Sequence, residues 1–433
     1  MIRLFLIGFM AFSSIILYSQ LHVSLEEAIT SSLANSRLKK TAILNNKSIE
    51  LDIAGLNSVY FPQINLSHNS FYTNDPLNAF GFKLQQEAIQ TSDFNPSLLN
   101  NPDNFIHFNS KIALNQVLLK YDIFETKKAL KSQLDANAWN TLRIDQGIIL
   151  EVKNSYLELQ FQYEALKITK KLLDNFKENE RIAFQNFESG ILKRTDIQRV
   201  QLEAKKLQNK ILEFEKSIEN LSAYLSLLMG KKLEAAILPM DRLQALSDVE
   251  ISTELENRPD FQSMRSLMLA KNQMLKAEKL KALPQINGFG EYNIYDPQLF
   301  SFDANAYQLG IQLRWTIFDG NHRRNNILKI QNELNKLQHN YEQDLDKSAY
   351  EVAKQKNEIE LNKSHLNLSQ IFYEQWVNEL KQMNDRYTQG LETYIDVINL
   401  ESKVLESQIN NFNRLKEYNK SINILEFLAS TNK

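Results

Sequence analysis

Phe187-Glu-Ser-Gly190-Ile-Leu-Lys-Arg-Thr-Asp196 and Tyr387-Thr-Gln-Gly390-Leu-Glu-Thr-Tyr-Ile-Asp396 are two versions of one pattern, 200 residues apart. In each, an aromatic residue stands three before a glycine and an aspartate six after it. Each interrupts a long, charge-rich periodic segment that otherwise holds almost no glycine and no proline. A glycine there can take the left-handed conformation that closes a helix. Thr195 with Gln198, and Thr393 with Asp396, fit the box that opens the next helix. The spacing predicts two very long helical hairpins, each with a tight tip.

The flanks agree. Ile149, Val152, Tyr156, Leu159, Tyr163 and Leu166 step alternately by three and four before the first tip. Leu207, Ile211, Phe214, Ile218, Leu221, Leu225 and Leu228 do the same after it, which is the seam of a coiled coil. A helix from Trp139 to Phe187 would be roughly 70 Å long at about 1.5 Å per residue. Gly230 ends the returning helix and Pro239 follows. The second hairpin rises through Ile327, Ile330, Leu334, Leu337 and Tyr341 and returns through Ile398, Leu405, Ile409 and Phe412.

Ahead of each hairpin the period changes to two. A helical pattern from Leu25 to about Tyr60 stops at Pro62, and Ile64-Asn-Leu66-Ser-His68 begins to alternate. After a loop rich in Asn, Pro and Asp, from Asn74 to Asn104, Ile106, Phe108, Ile112 and Leu114 resume the alternation. Leu255-Glu-Asn257 to Pro284-Gln-Ile-Asn287 then aligns without a gap with Leu33-Ala-Asn35 to Pro62-Gln-Ile-Asn65, at an offset of 222. A second pair of strands follows, Ile286–Tyr295 and Tyr307–Phe318, around a turn at Asp296-Pro297. In the latter, Tyr307, Leu309, Ile311, Leu313, Trp315 and Ile317 face one way, and Gln308, Gly310, Gln312, Arg314 and Thr316 the other. The chain is a tandem duplication of helix, β-hairpin and long helical hairpin. Repeat 1 covers 20–238, with its β-hairpin at about 62–119 and helices at about 120–230. Repeat 2 covers 239–433, with its β-hairpin at about 284–319 and helices at about 320–430.

Composition narrows the function. A net charge of −2, with 50 basic and 52 acidic residues interspersed along helical faces, gives no reason to expect a nucleic-acid partner. No cysteine is present, which excludes disulfides, thiolate metal sites, a cysteine nucleophile and a lipidated N-terminal cysteine. Arg3, the apolar run Leu4 to Leu17 and the following Tyr18-Ser19 read as a signal peptide, residues 1–19. That run is too short to span a bilayer, and no other apolar run is long enough to be a transmembrane helix. An exported chain that enters a membrane must then do so with strands.

Four amphipathic strands enclose nothing alone, and no separate core is offered to their apolar face. In an outer-membrane barrel that face meets lipid, while Asn, Gln, Lys, Arg and Thr line water. Tyr60, Phe61, Tyr307 and Trp315 suit the interface. A wide barrel needs strands from several subunits. Long hairpins with a narrow apolar seam likewise gain stability only side by side, as in the wall of a tube.

On the paired glycine tips, the paired Pro-Gln-Ile-Asn strand starts, Trp315-Thr-Ile-Phe318-Asp-Gly320 and Leu25-Glu-Glu-Ala28, the chain resembles the TolC-like outer-membrane efflux protein family over essentially its whole mature length. The resemblance implies an α+β membrane protein: a homotrimer whose 12-stranded β-barrel, four strands per subunit, continues into a periplasmic α-helical coiled-coil barrel. It implies an exit duct of a tripartite efflux or type I secretion system. A periplasmic adaptor would dock at the tips, Gly190, Ile191, Gly390 and Leu391, and couple the duct to an inner-membrane pump, proton-driven or ABC. Asp396 and the position one turn later would form an acidic ring at the aperture. Here that later position is Asn399, so such a ring carries three charges per trimer rather than six. Tyr387 would bond Asp196 across neighbouring hairpins, and Glu392 stands where the family often has a basic residue.

Read without the resemblance, Asp196 and Asp396 are first-turn acids favoured by the helix dipole, and the 77–103 insertion is a surface loop at the outer end of the barrel. The six histidines show no metal-ligand spacing, and no nucleophile elbow, P-loop or dinucleotide fingerprint is present. No catalysis, cofactor or metal is expected. The rivals are a periplasmic adaptor, which predicts one hairpin flanked by compact β-domains, and a soluble coiled-coil scaffold, which predicts neither a signal peptide nor strands.

Overall fold

Pro62 and Pro284 each stand where helix gives way to strand, because proline cannot continue the helical hydrogen-bond ladder. The computed structural model describes residues 21–190, 193–232, 235–247 and 254–430; the expected signal peptide, 1–19, lies outside them. In chain order the elements are β1 (Leu21–Val23), α1 (Leu25–Asn35), α2 (Arg37–Ser58), β2 (Gln63–Thr73), α3 (Pro76–Gln85), α4 (Pro96–Asn100), β3 (Phe105–Leu119), α5 (Asp122–Glu188) and α6 (Arg194–Leu228). They continue with β4 (Ile237–Pro239), α7 (Pro259–Leu280), β5 (Gln285–Asp296), β6 (Ala304–Arg314), α8 (His322–Thr388) and α9 (Tyr394–Ala429). One compact unit is built from residues 43–139 and 262–342, the other from the described residues of 1–42, 140–261 and 343–433.

The first unit holds a four-stranded antiparallel sheet in the order β2-β3-β5-β6. Its register sorts the side chains by face. Leu66 lies opposite Ile112, Ile112 opposite Tyr292, and Tyr292 opposite Tyr307. All four are exposed, Leu66 and Tyr307 at 77%. The adjacent row on the other face is Asn65, Ala113, Glu291 and Gln308, and on that face Lys111 and Glu291 form a 2.6 Å ion pair. Alternation with a period of two therefore leaves an apolar face bare rather than buried.

Two strand-level expectations change. The last strand ends at Arg314 rather than Phe318, and beyond it the Trp315 indole N–H donates to the Ala282 carbonyl at 3.0 Å. The connection after β2 is also not irregular throughout. Asp75 caps α3 with Pro76 in the first turn, and Asn95 caps α4 with Pro96 in the first turn. Proline is favoured there because its missing N–H is one the helix would leave unpaired anyway.

The second unit is organised by the seam. Ile148, Val152, Tyr156, Leu159 and Leu166 of α5 bury against Ile218 and Leu225 of α6, with Met229, Val23, Ala28 and Ile237 closing the cluster. Ile148, not Ile149, starts the run. Val23 and Ile237 arrive on β1 and β4, which pair in parallel. The Tyr156 hydroxyl joins them: it lies 2.9 Å from the Val23 carbonyl and 2.8 Å from Asp241 Oδ2, and accepts from the Met240 amide. Burial pushes that phenol well above its ordinary range, so it remains a donor. From α9, Asn419 accepts from the Leu246 amide and donates to the Gln244 carbonyl. Among the described residues no helix is long and apolar enough to cross a membrane.

Candidate functional site

Both tips close as their glycines demand. Gly190 has φ +76° and Gly390 φ +74°, the left-handed region in which a side chain is strained. The Gly190 amide donates to the Phe187 carbonyl and the Gly390 amide to the Tyr387 carbonyl, each at 2.9 Å. Leu391 N–H then returns to the Arg386 carbonyl at 3.0 Å, which satisfies one of the last helical acceptors. A Cβ at either glycine would meet no atom within 4 Å, so backbone conformation rather than packing requires glycine there. Leu391 is exposed, and Ile191 lies outside the described residues.

The helices leaving the tips are opened differently. Before α9, the Thr393 hydroxyl accepts from the Asp396 amide, while the Asp396 carboxylate accepts from the Thr393 amide at 3.2 Å. That reciprocal box is the one expected. Before α6, the cap is Lys193, whose amide donates to Asp196 Oδ2 at 3.1 Å. Thr195 already lies inside the helix, so the expected pairing of Thr195 with Gln198 is two residues out of register. The feature common to both tips is the aspartate six residues after the glycine. It sits at the third helical position, where a carboxylate reaches back to the cap amide and meets the positive end of the dipole. Both carboxylates are thus engaged within their own hairpins.

The second tip carries further ties. Arg386 Nη2 and Glu392 lie 2.7 Å apart, so the acid at 392 is matched by a base six residues before it in the same hairpin. Nothing in Glu392 itself announced Arg386; the reversal of the helix places them side by side. The Tyr387 ring packs on Tyr394 with centroids 5.6 Å apart. Tyr394 is 7% exposed and its hydroxyl has no partner among the described residues. Asn399 is exposed and Asp396 half-buried. Behind the tips Leu173, Phe176 and Ala183 of α5, Val200, Ala204 and Leu207 of α6, and Tyr394, Ile395, Ile398 and Leu405 of α9 share one apolar cluster. Both tips are therefore ledges built on a common core, with open space at each glycine.

Sequence reading missed Arg258, which is 4% exposed. It makes a two-pronged pair with Asp260, donates to the Leu428 carbonyl of α9 and the Ser348 hydroxyl of α8, and stacks over Phe261. Its only local signal was the Pro259 that follows it at the start of α7.

Residues 251–429 match the family model described as outer membrane efflux protein. Among solved structures, CusC aligns at TM-score 0.77 and 15% identity, over 94% of this chain and 92% of its own. The CmeC outer membrane channel of Campylobacter jejuni aligns at 0.77 and 16%, over 93% and 85%. The outer membrane protein VceC of Vibrio cholerae aligns at 0.73 and 14%, over 94% and 97%. No curated protein matches the chain. The fold is that of the outer-membrane efflux channels. The resemblance to the TolC-like outer-membrane efflux proteins therefore holds by sequence over residues 251–429 and by fold along the chain.

Proposed function

We propose that this chain is one subunit of a trimeric exit duct in a bacterial outer membrane, passively conducting solutes received from a periplasmic adaptor and an inner-membrane pump. The observation that carries the reading is the sheet. Its bare apolar face suits lipid, its polar face suits a wet lumen, and its two outer strands, β2 and β6, are each paired on one side only. The four strands alternate in direction, so β2 of one copy meets β6 of the next in the antiparallel sense, and the sheet closes without an edge. Strands of 11 to 15 residues are long enough for the roughly 9–11 that cross a bilayer at a tilt. Three copies supply the twelve strands that the family resemblance implies.

The helical tips then face the periplasm, and the tip residues Gly190, Ile191, Gly390 and Leu391 receive the adaptor. Asp196, Tyr387, Asp396 and Asn399 surround the aperture. With their carboxylates engaged at the helix starts, the aspartates hold fixed positions at the aperture, their charge partly offset by the helix dipole. The duct has no chemistry of its own, so energy enters through the pump.

Photo-crosslinking in cells from Ser189 and Gln389, with mass spectrometry of the captured proteins, tests the assignment. Capture of a periplasmic adaptor supports it. Capture of cytosolic or surface proteins alone removes the tips as docking sites. Carbonate extraction separates the duct from an adaptor or a scaffold, since the duct stays with the outer membrane.

A further inference from the structure

The segment between β2 and β3 does not hang free; it folds onto one chosen face of the sheet. The Phe82 ring of α3 stacks on His107 with centroids 4.0 Å apart and planes 2° from parallel. Phe71 packs on both, and Tyr295 packs on His107. By the strand register Phe71, His107 and Tyr295 point to the same face as Asn65, Lys111 and Glu291, the polar one. Directly after α3, the Gln86 side-chain amide donates to the Ile106 and Asp296 carbonyls at 3.3 and 3.0 Å. His107 is 1% exposed and Gln86 7%. The Lys83–Asp93 pair at 2.9 Å ties the rest of the segment to α3. The turn between β5 and β6 goes the other way: Phe300, with φ +60°, packs on His68, whose rows belong to the apolar face.

We propose that residues 76–104 form an inward-folded constriction at the outer mouth, which limits the size of solute that can leave; this rests on the duct reading above. Twelve strands about 4.8 Å apart, tilted by roughly 40°, enclose a barrel about 24 Å across between backbones. A helix with its side chains is about 10–12 Å wide. Three copies of α3, one seated on the inner face of each subunit, occupy most of that opening. The specificity-determining side chains are Phe82 and Gln86, which hold α3 over the lumen rather than outside it.

The chain has no cysteine, so a single Asn115→Cys, on the polar face further along β3, reports access from outside intact cells. A small impermeant maleimide labels it in every form. A bulky polyethylene glycol maleimide labels it slowly in the otherwise unchanged protein. With residues 77–103 replaced by a short Gly-Ser turn, its rate rises roughly tenfold, because access and not thiolate chemistry limits the reaction. Phe82→Ala with Gln86→Ala, which keeps the segment and loosens its seat, gives the same direction if the shortened chain fails to assemble. Equal bulky labelling with and without the segment overturns the constriction. Failure of the small reagent in every form shows that the face is no lumen, and the duct reading falls with the proposal.

Discussion

The long helices α5 and α8 are both 67 residues and each follows a pair of sheet strands, yet their surroundings differ. Within the unit that contains the tips, α5 buries Ile148, Val152, Tyr156, Leu159, Leu166 and Phe176. Over its whole length α8 buries, among the described residues, only Ser348 and Ser369. Those two are hydrogen-bonded, Ser348 to Arg258 and Ser369 to Asn411. Meanwhile Leu361, Leu368, Ile371 and Phe372 stay exposed on α8. The first long helix finds its apolar partners inside the chain, whereas the second is tied down by polar contacts and leaves apolar residues bare. Two helices of equal length thus divide: one is packed by apolar contacts and the other is held by polar ones.

The largest expected effects test that division. Leu159→Ala, at a fully buried site, is expected to cost about 3 kcal/mol of subunit stability. Phe372→Asp with Leu368→Asp is expected to leave the secondary structure of the subunit intact and to abolish the trimer, read by crosslinking and by circular dichroism on the same sample. If the α8 variant unfolds the subunit, or still forms trimers, the contrast between the two helices is wrong.

A second test addresses how α8 is held. Burial pushes the Asp260 carboxyl up, but its hydrogen bonds from Arg258, and the charges of Arg258 and Arg143, bring it below the ordinary carboxylate range. A folded-state pKa below the unfolded one gives stability that is complete above the unfolded value and lost as pH falls through the folded value. Asp260→Asn leaves Arg258 buried without its counter-charge and is expected to cost about 3 kcal/mol at neutral pH. The gap between variant and wild type in thermal unfolding should close in acid, below the ordinary carboxylate range. A gap that does not change with pH would mean that the pair holds α8 by shape rather than by charge.

The tips, strands and seam were legible because each depends on local chemistry: a glycine at positive φ, apolar residues every second position, apolar residues every three and four. Three features were not. β1 and β4 are three residues each, too short to show a period, and their pairing joins Leu21 to Ile237, far along the chain. Arg258 draws its partners from α8 and α9, far along the chain. The α6 cap departs from the Thr195–Gln198 box because the spacing from Gly190 to Asp196, which the two tips share, sets where the helix starts. At the tips, Asp196 and Asp396 were identifiable, but their engagement with their own helix starts was visible only at the level of hydrogen bonds.

At the tips the two hairpins are alike in their glycines and unlike in their caps, which allows smaller and finer tests. Gly190→Ala and Gly390→Ala should each cost about 1–2 kcal/mol, since both force a Cβ into the left-handed region. Similar costs, measured by local hydrogen exchange at the two tips, would show that the closing turns are equivalent.

The caps should then part them. Thr393→Ala removes the hydroxyl that accepts the Asp396 amide and is expected to cost about 1 kcal/mol. Lys193→Ala removes no such acceptor and should cost little, whereas Lys193→Thr restores the box opposite Asp196 and should stabilise the first tip by up to about 1 kcal/mol. If Lys193→Thr instead weakens adaptor capture from Ser189 while raising protection, the imperfect cap at the first tip is retained for the docking contact and not for the fold. Equal behaviour of Lys193→Ala and Thr393→Ala would erase the distinction between the caps, and the tips would then differ only by the Arg386–Glu392 pair and the Tyr387–Tyr394 contact.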